Sequence, residues 1–307
     1  MKNGLKRFLV CTLAAWILTG LPANAYAGLP EGLLIVGYDG RAWYPYVSQP
    51  GANDSGATWK KITELRDPIY LTWQSSKGRF LVKGNDSRLY RYGLDGGKPE
   101  QLVATDPNSY TQMRADPSGF VLVQLVAGKS RDTHIASIGT DDRPRILVQQ
   151  QSAQFHPYRF GSMLYYAHVS CRADCSPLIQ EVWRKNLNTG RAEQLTLLNA
   201  TSYLHSIDPT GSHGFLSSNR HGYYHIARLN LQSGEVAWLT DGQVTDSFPS
   251  IALDGSVYFI RRTDDGTQLM HLTVRLDGSG SDTISALQAI PLPEGVRKVR
   301  YLELNYR

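Results

Sequence analysis

The sequence predicts an all-β protein: a six-bladed β-propeller of four-stranded antiparallel blades. Three observations lead there. Glycine-marked turns recur at Gly78, Gly119, Gly161, Gly211 and Gly255, with gaps of 41, 42, 50 and 44 residues. A period in the forties between short β-rich segments is that of a propeller blade. Beyond the N-terminus no segment sustains a helical period of apolar residues, whereas period-two alternation recurs throughout. Finally, the first unit lacks an opening strand, and an alternating strand at Val299 to Leu304 begins 44 residues after Gly255 with no blade of its own.

Taken in order, the chain opens as a secretory signal. Lys2, Lys6 and Arg7 form a positive n-region, Phe8 to Leu18 an apolar h-region, and small residues stand at Ala23, Ala25 and Ala27. Cleavage is expected after Ala27, with Ala25 the alternative. The apolar run is too short for a comfortable transmembrane helix. Cys11 lies inside the h-region after Val10, which argues against lipidation. The expected organisation is a signal peptide at 1–27 and one propeller domain at 28–307, with no transmembrane segment in the mature chain.

Leu33 to Val36, Arg41 to Val47 and Trp59 to Thr63 read as the second, third and fourth strands of the first blade. Each later unit repeats one order. An opening strand ends in the glycine turn. A continuous apolar strand follows, such as Phe80 to Val82, Val121 to Val123, Met163 to Tyr166 or Val257 to Ile260. An alternating strand comes next, such as Leu89 to Tyr92, His134 to Ser137, Glu181 to Trp183 or His225 to Arg228. Short closing strands follow at Glu100 to Val103, Arg145 to Val148, Glu193 to Thr196 and Ala237 to Thr240. The longest gap holds Cys171 and Cys175, at the tip of the hairpin between the second and third strands of its blade. The strand at Val299 to Leu304 is expected to close the ring as the innermost strand of the first blade, which removes free edges.

Composition narrows the function. The whole-chain charge of +5 falls to about +2 once residues 1–27, with three basic and no acidic residues, are removed. That is a weak case for nucleic acid as partner. About 280 residues remain, enough for one cored domain. Cys171 and Cys175 are expected to form a local disulfide in an oxidising compartment. Zinc would need further ligands than nearby His168, and a redox pair would normally be CxxC.

The unit from Leu204 to Gly242 carries a resemblance. It runs Asp208-Pro209-Thr210-Gly211, a strand to Ser218, Asn219-Arg220-His221-Gly222, a strand from Tyr224 to Leu231, and Trp238-Leu239-Thr240-Asp241-Gly242. This order resembles the repeats of the TolB-type six-bladed propeller, strongly here and loosely over residues 33–307. TolB carries an additional N-terminal α/β domain; the resemblance here covers the propeller alone, so binding to the lipoprotein Pal does not carry over. The resemblance is specific for fold and implies an envelope interaction protein.

In a blade, the second-to-third-strand loops and the inter-blade loops share one face. An aromatic recurs near the end of the inter-blade loops: Tyr70, Tyr110, Phe155, Tyr203 and Phe248. One reading is a collar at the channel mouth that grips a peptide or a sugar; the other is repeated packing between blades. Asp67, Asp106 and Asp246 precede three of these rings and either bind a cation or basic peptide or cap turns. Arg220 and His221, with Arg172 on the neighbouring hairpin, are candidates for an acidic group. The opposite face carries short, tight turns.

The eight histidines form no HExxH and no close carboxylate cluster. His205 and His156 lie on opening strands near the channel, which keeps open a metal-dependent polysaccharide lyase of the oligogalacturonate type, or a carbohydrate-binding propeller. There is no G-x-S-x-G elbow and no phosphate-binding glycine motif. The sequence therefore calls for no cofactor, metal or catalytic residue. It leads to an exported, non-enzymatic propeller that binds another cell-envelope protein or peptide; its oligomeric state is not fixed by the sequence, with a monomer favoured.

Overall fold

The structure is a computed structural model. It describes residues 29–51, 57–74, 77–84, 86, 88–94, 97–102, 110–116, 118–126, 132–141, 143–170, 178–276 and 282–304. Six antiparallel sheets make a propeller ring. Blade 1 is ordered Lys298–Leu304, Leu33–Tyr38, Trp43–Pro50, Ala57–Lys61 from the channel outward, so the C-terminal strand supplies its innermost position. Blades 2 to 5 each run in chain order. Their innermost strands are Tyr70–Gln74, Tyr110–Asp116, Gln154–Phe160 and Ser202–Ile207. Blade 6 starts with Thr245–Ile251, and its long third strand, Gly266–Leu276, pairs with two short strands, Asp282–Ile284 and Gln288–Ile290. That split outermost position was not foreseen from the sequence.

The core is a ring of six clusters, one at each junction between neighbouring blades, and this explains the continuous apolar second strands. In Leu33–Tyr38, Leu33 and Ile35 pack against blade 6 with Tyr258, Ile260 and Leu269. Leu34 and Val36 face the other way, against Leu71, Trp73 and Phe80 of blade 2. In blade 2, Phe80 and Val82 join that junction, while Leu81 joins Phe120 and Leu122 of blade 3. Successive side chains of a strand point to opposite faces. A strand sandwiched between two blades must therefore be apolar at both parities, as in sheets buried on both sides.

Turn chemistry fixes the ends of the strands. Gly211 has φ +74°, and a Cβ there would stand 2.4 Å from the Phe160 ring of blade 4. Asp208 Oδ1 accepts from the Ser212 and His213 amides in the same turn. The Leu-Thr pairs close blades 4 and 5 in the same way: Leu195 and Leu239 donate to the carbonyls of Val182 and Ile226. The hydroxyls of Thr196 and Thr240 then accept from the amides of those same residues, each at 2.9 Å. Ring closure also has a polar lock. Glu303, 2% exposed on the C-terminal strand, accepts from Thr72 Oγ1 and the Trp73 amide of blade 2. It also pairs with Arg114 of blade 3 at 3.4 Å.

Candidate functional site

The innermost strands are not regular. Register slips where Thr111 is followed by Arg114, Phe155 by Tyr158, Leu204 by Ser206, and Ser247 by Ser250 in pairing with their second strands. The closing strand slips at Arg300, between the partners Val299 and Tyr301. These are β-bulges, which re-aim a side chain and are common beside functional sites. Three bulged residues have left-handed backbone without being glycine: Gln112 at φ 47°, His156 at 49° and Phe248 at 58°. Such residues cost energy and persist only where the surrounding structure holds them.

The bulges deliver Gln112, His156, Phe248 and Arg300 into one cavity of about 280 Å³ at the channel mouth. Ile69 and Tyr70 stand at its rim, both more than a third exposed. Arg114 and Tyr301 line its inner wall and meet at Glu303: the Tyr301 hydroxyl donates to Glu303 Oε2 at 3.0 Å beside the Arg114 pair. Gln112 Oε1 accepts from the His156 amide at 3.0 Å across the blade 3–4 junction.

Rings continue the site across the channel. His156 lies 4.3 Å from Tyr203 and 5.7 Å from His205, centroid to centroid, and His205 lies 5.2 Å from Phe248. Tyr203 stacks on Tyr224, and Phe248 meets Tyr301 edge-on. Burial, and then the Arg114 cation, holds the His156 pKa down at about 3. His205 is held well below its ordinary value by burial, then by His156 and Arg114. Its Nε2 lies 2.8 Å from Ser217 Oγ. Both rings are therefore neutral at pH 7. Among the described residues, no three His, Cys, Asp or Glu side chains are grouped to hold a metal ion.

The sequence-derived candidates divide. Tyr70 and Phe248 line the cavity, and Tyr203 contacts its His156 wall. Tyr110 is 3% exposed and packs with Met113 and Phe120 between blades 2 and 3. Phe155 packs between blades 3 and 4 against Val123, Ile135 and Leu164. Arg220 is exposed at its hairpin tip, and the His221 ring lies 4.5 Å from Trp238 of the outermost strand, away from the channel. Asp67 accepts from the Trp43 amide in a turn at φ 50°, and Asp246 is fully buried with Arg261 at 2.8 Å. Residues 1–28, Asp106, Arg172 and the proposed Cys171–Cys175 disulfide lie outside the described residues.

Sequence reasoning missed Gln112, Arg300, Tyr301 and the Arg114–Glu303 pair. A signal was present: Pro157 and Pro249 interrupt two innermost strands at the same place, and proline inside a sheet marks an edge or a bulge.

The fold is that of a TolB-like six-bladed propeller. Two TolB structures are similar to it. One, designated TolB from Agrobacterium tumefaciens, is 16% identical with a TM-score of 0.59, over 76% of this chain and 86% of that one. The other, TolB from Acinetobacter baumannii, is 12% identical with a TM-score of 0.63, over 88% of this chain and 65% of that one. A puromycin-hydrolyzing peptidase of Mycobacterium tuberculosis matches at 11% identity and a TM-score of 0.53; this chain covers 89% of itself and 56% of the peptidase. No protein-family model matches the sequence, and no curated protein is similar to it.

Proposed function

We propose that this protein is an exported, non-enzymatic binding propeller of the cell envelope, and that its channel mouth grips a segment of another envelope protein. One observation carries the reading: bulges in separate blades converge Gln112, His156, Phe248 and Arg300 on a single cavity. Strain of this kind, repeated in three blades toward one point, suits a site more than a packing solution. Aromatic walls at Tyr70, Phe248 and Tyr301 supply large contact area at low entropic cost. The similarity in fold to TolB supports an envelope setting, while the peptidase likeness extends over little more than half of that enzyme. Among the described residues no helix is long and apolar enough to cross a membrane.

The test is cross-linking of the full-length protein in its native cells, followed by affinity isolation. One envelope protein should be recovered in stoichiometric amount. The Tyr70→Ala, Phe248→Ala double variant should weaken that interaction by about 2–4 kcal/mol while the folded fraction, followed by melting, stays high. A stoichiometric divalent metal together with new double-bond absorbance on acidic oligosaccharides would instead establish a lyase.

A further inference from the structure

The cavity has a definite charge, and it identifies what sits in it. Arg114 and Glu303 neutralise one another at its inner wall. Among the described residues no carboxylate forms an ion pair with Arg300: Asp67 acts on it through space, but its oxygens accept from the Trp43 amide and Arg66, and Glu303 is paired with Arg114. The Arg300 guanidinium is nevertheless held firmly. It lies 4.7 Å over the Trp43 ring, and its Nη2 donates to the Pro68 carbonyl. Its remaining N–H groups have no hydrogen-bond partner among the described residues. A part-buried cation with no hydrogen-bonded carboxylate is costly, and a planar guanidinium held on an aromatic face is shaped for one.

Two further features point the same way. The bond from the His156 amide fixes Gln112 by its Oε1 and leaves its Nε2 without a hydrogen-bond partner among the described residues, in a side chain that lines the cavity. Much of the rest of the wall is apolar, with Ile69, Leu71, Met113, Pro157 and Phe248. The Tyr301–Glu303–Arg114 group backs the cavity on its inner side. A cavity of about 280 Å³ has room for the end of a chain with its last side chain.

We propose that this cavity is a subsite for the free C-terminus of an apolar peptide, its terminal carboxylate on Arg300 with a second donor from Gln112 and its last side chain against Phe248 and Met113. Capture of a C-terminal carboxylate by fixed donors is a known mode of peptide recognition. The inference rests on the reading that the channel mouth binds a protein segment, and it names the part of the partner that enters.

The experiment uses the full chain and two probes, N-acetyl-leucyl-phenylalanine as the free acid and as its C-terminal amide, titrated by calorimetry. The acid should bind saturably and the amide about tenfold or more weakly, since hydrogen bonds to a charged group are the strong ones. Arg300→Gln should bring the acid down to the level of the amide. Arg300→Lys, which keeps the charge without the fork, should fall between. Gln112→Ala should weaken the acid several-fold, as a check independent of the Arg300 fold. Equal binding of acid and amide, no binding of either, or acid binding unchanged in Arg300→Gln with a normal melting transition would overturn the proposal. The two readings fail separately. Recovery of an envelope partner that needs Tyr70 and Phe248 but not Arg300 defeats this inference alone. Carboxylate binding through Arg300 without any recovered partner defeats the protein-binding reading.

Discussion

At the scale of the residue, His156 combines backbone strain with a suppressed charge. Its ring is neutral because burial, and secondarily the Arg114 cation, oppose the imidazolium, and its pKa of about 3 stands against 6.5 for an unperturbed histidine. Above pH 6.5 the ring is neutral in the folded and unfolded chain alike, and its full contribution to stability is present. As pH falls below 6.5, the unfolded chain takes up a proton that the folded chain refuses, so stability is lost progressively until about pH 3. The slope is at most about 1.4 kcal/mol per pH unit for each such histidine. His205 adds to it in the same direction. Asparagine tolerates the left-handed backbone at this position and does not titrate. His156→Asn should therefore make stability fall less steeply between about pH 6 and pH 4, by up to one proton's worth of slope. Urea denaturation at several pH values checks it, and an unchanged slope would sink the assignment.

At the scale of the element, the bulge decides what each innermost strand presents to the channel. Gln112 stands at φ 47° and accepts the His156 amide bond. Gln112→Val puts a β-branched side chain in left-handed backbone and leaves that amide unpaired, so it should cost about 2 kcal/mol or more. Gln112→Gly loses the same bond and relieves the backbone, so it should lie within about 1 kcal/mol of the parent. Equal losses in the two variants, measured by denaturant midpoint, would show that the bulge holds no strain. The bulges also explain what was legible in the sequence. Apolar runs such as Leu33 to Val36 and Phe80 to Val82 reveal the second strands because both faces are buried. The inter-blade aromatics align as a repeat, yet they do different things. A bulge adds a residue, and a one-residue slip turns a side chain to the opposite face. Tyr110 and Phe155 precede their bulges and pack between blades, whereas Phe248 is itself the bulged residue and lines the cavity. Periodicity alone carries no mark of that extra residue except the two prolines, and the donors Gln112 and Arg300 fall at positions where repeat alignment expects nothing.

At the scale of the whole molecule, closure is what makes six blades one structure, and it depends on the strand Lys298–Leu304. Lys298–Leu304 pairs along Leu33–Tyr38, from Leu33 with Leu304 to Tyr38 with Lys298. Val299, Leu302 and Leu304 fill the junction between blades 6 and 1, and Glu303 reaches blades 2 and 3. Removing three buried aliphatic side chains forfeits about 5–9 kcal/mol at roughly 1.5–3 kcal/mol each. That is comparable with the entire stability of a typical domain. It also strips Arg114 of its partner and exposes the edge of Leu33–Tyr38, a template for aggregation. Deleting residues 296–307 should therefore leave a chain that is unfolded or aggregated at 25 °C. A synthetic peptide of residues 296–307 should then restore a cooperative melting transition whose midpoint rises with peptide concentration, as mass action requires. The same peptide with Glu303→Gln should need a higher concentration for the same midpoint, because it reforms the strand pairing and the apolar junction but not the ion pair. A truncated protein that melts like the parent would refute closure by this strand, and equal potency of the two peptides would refute the role assigned to Glu303.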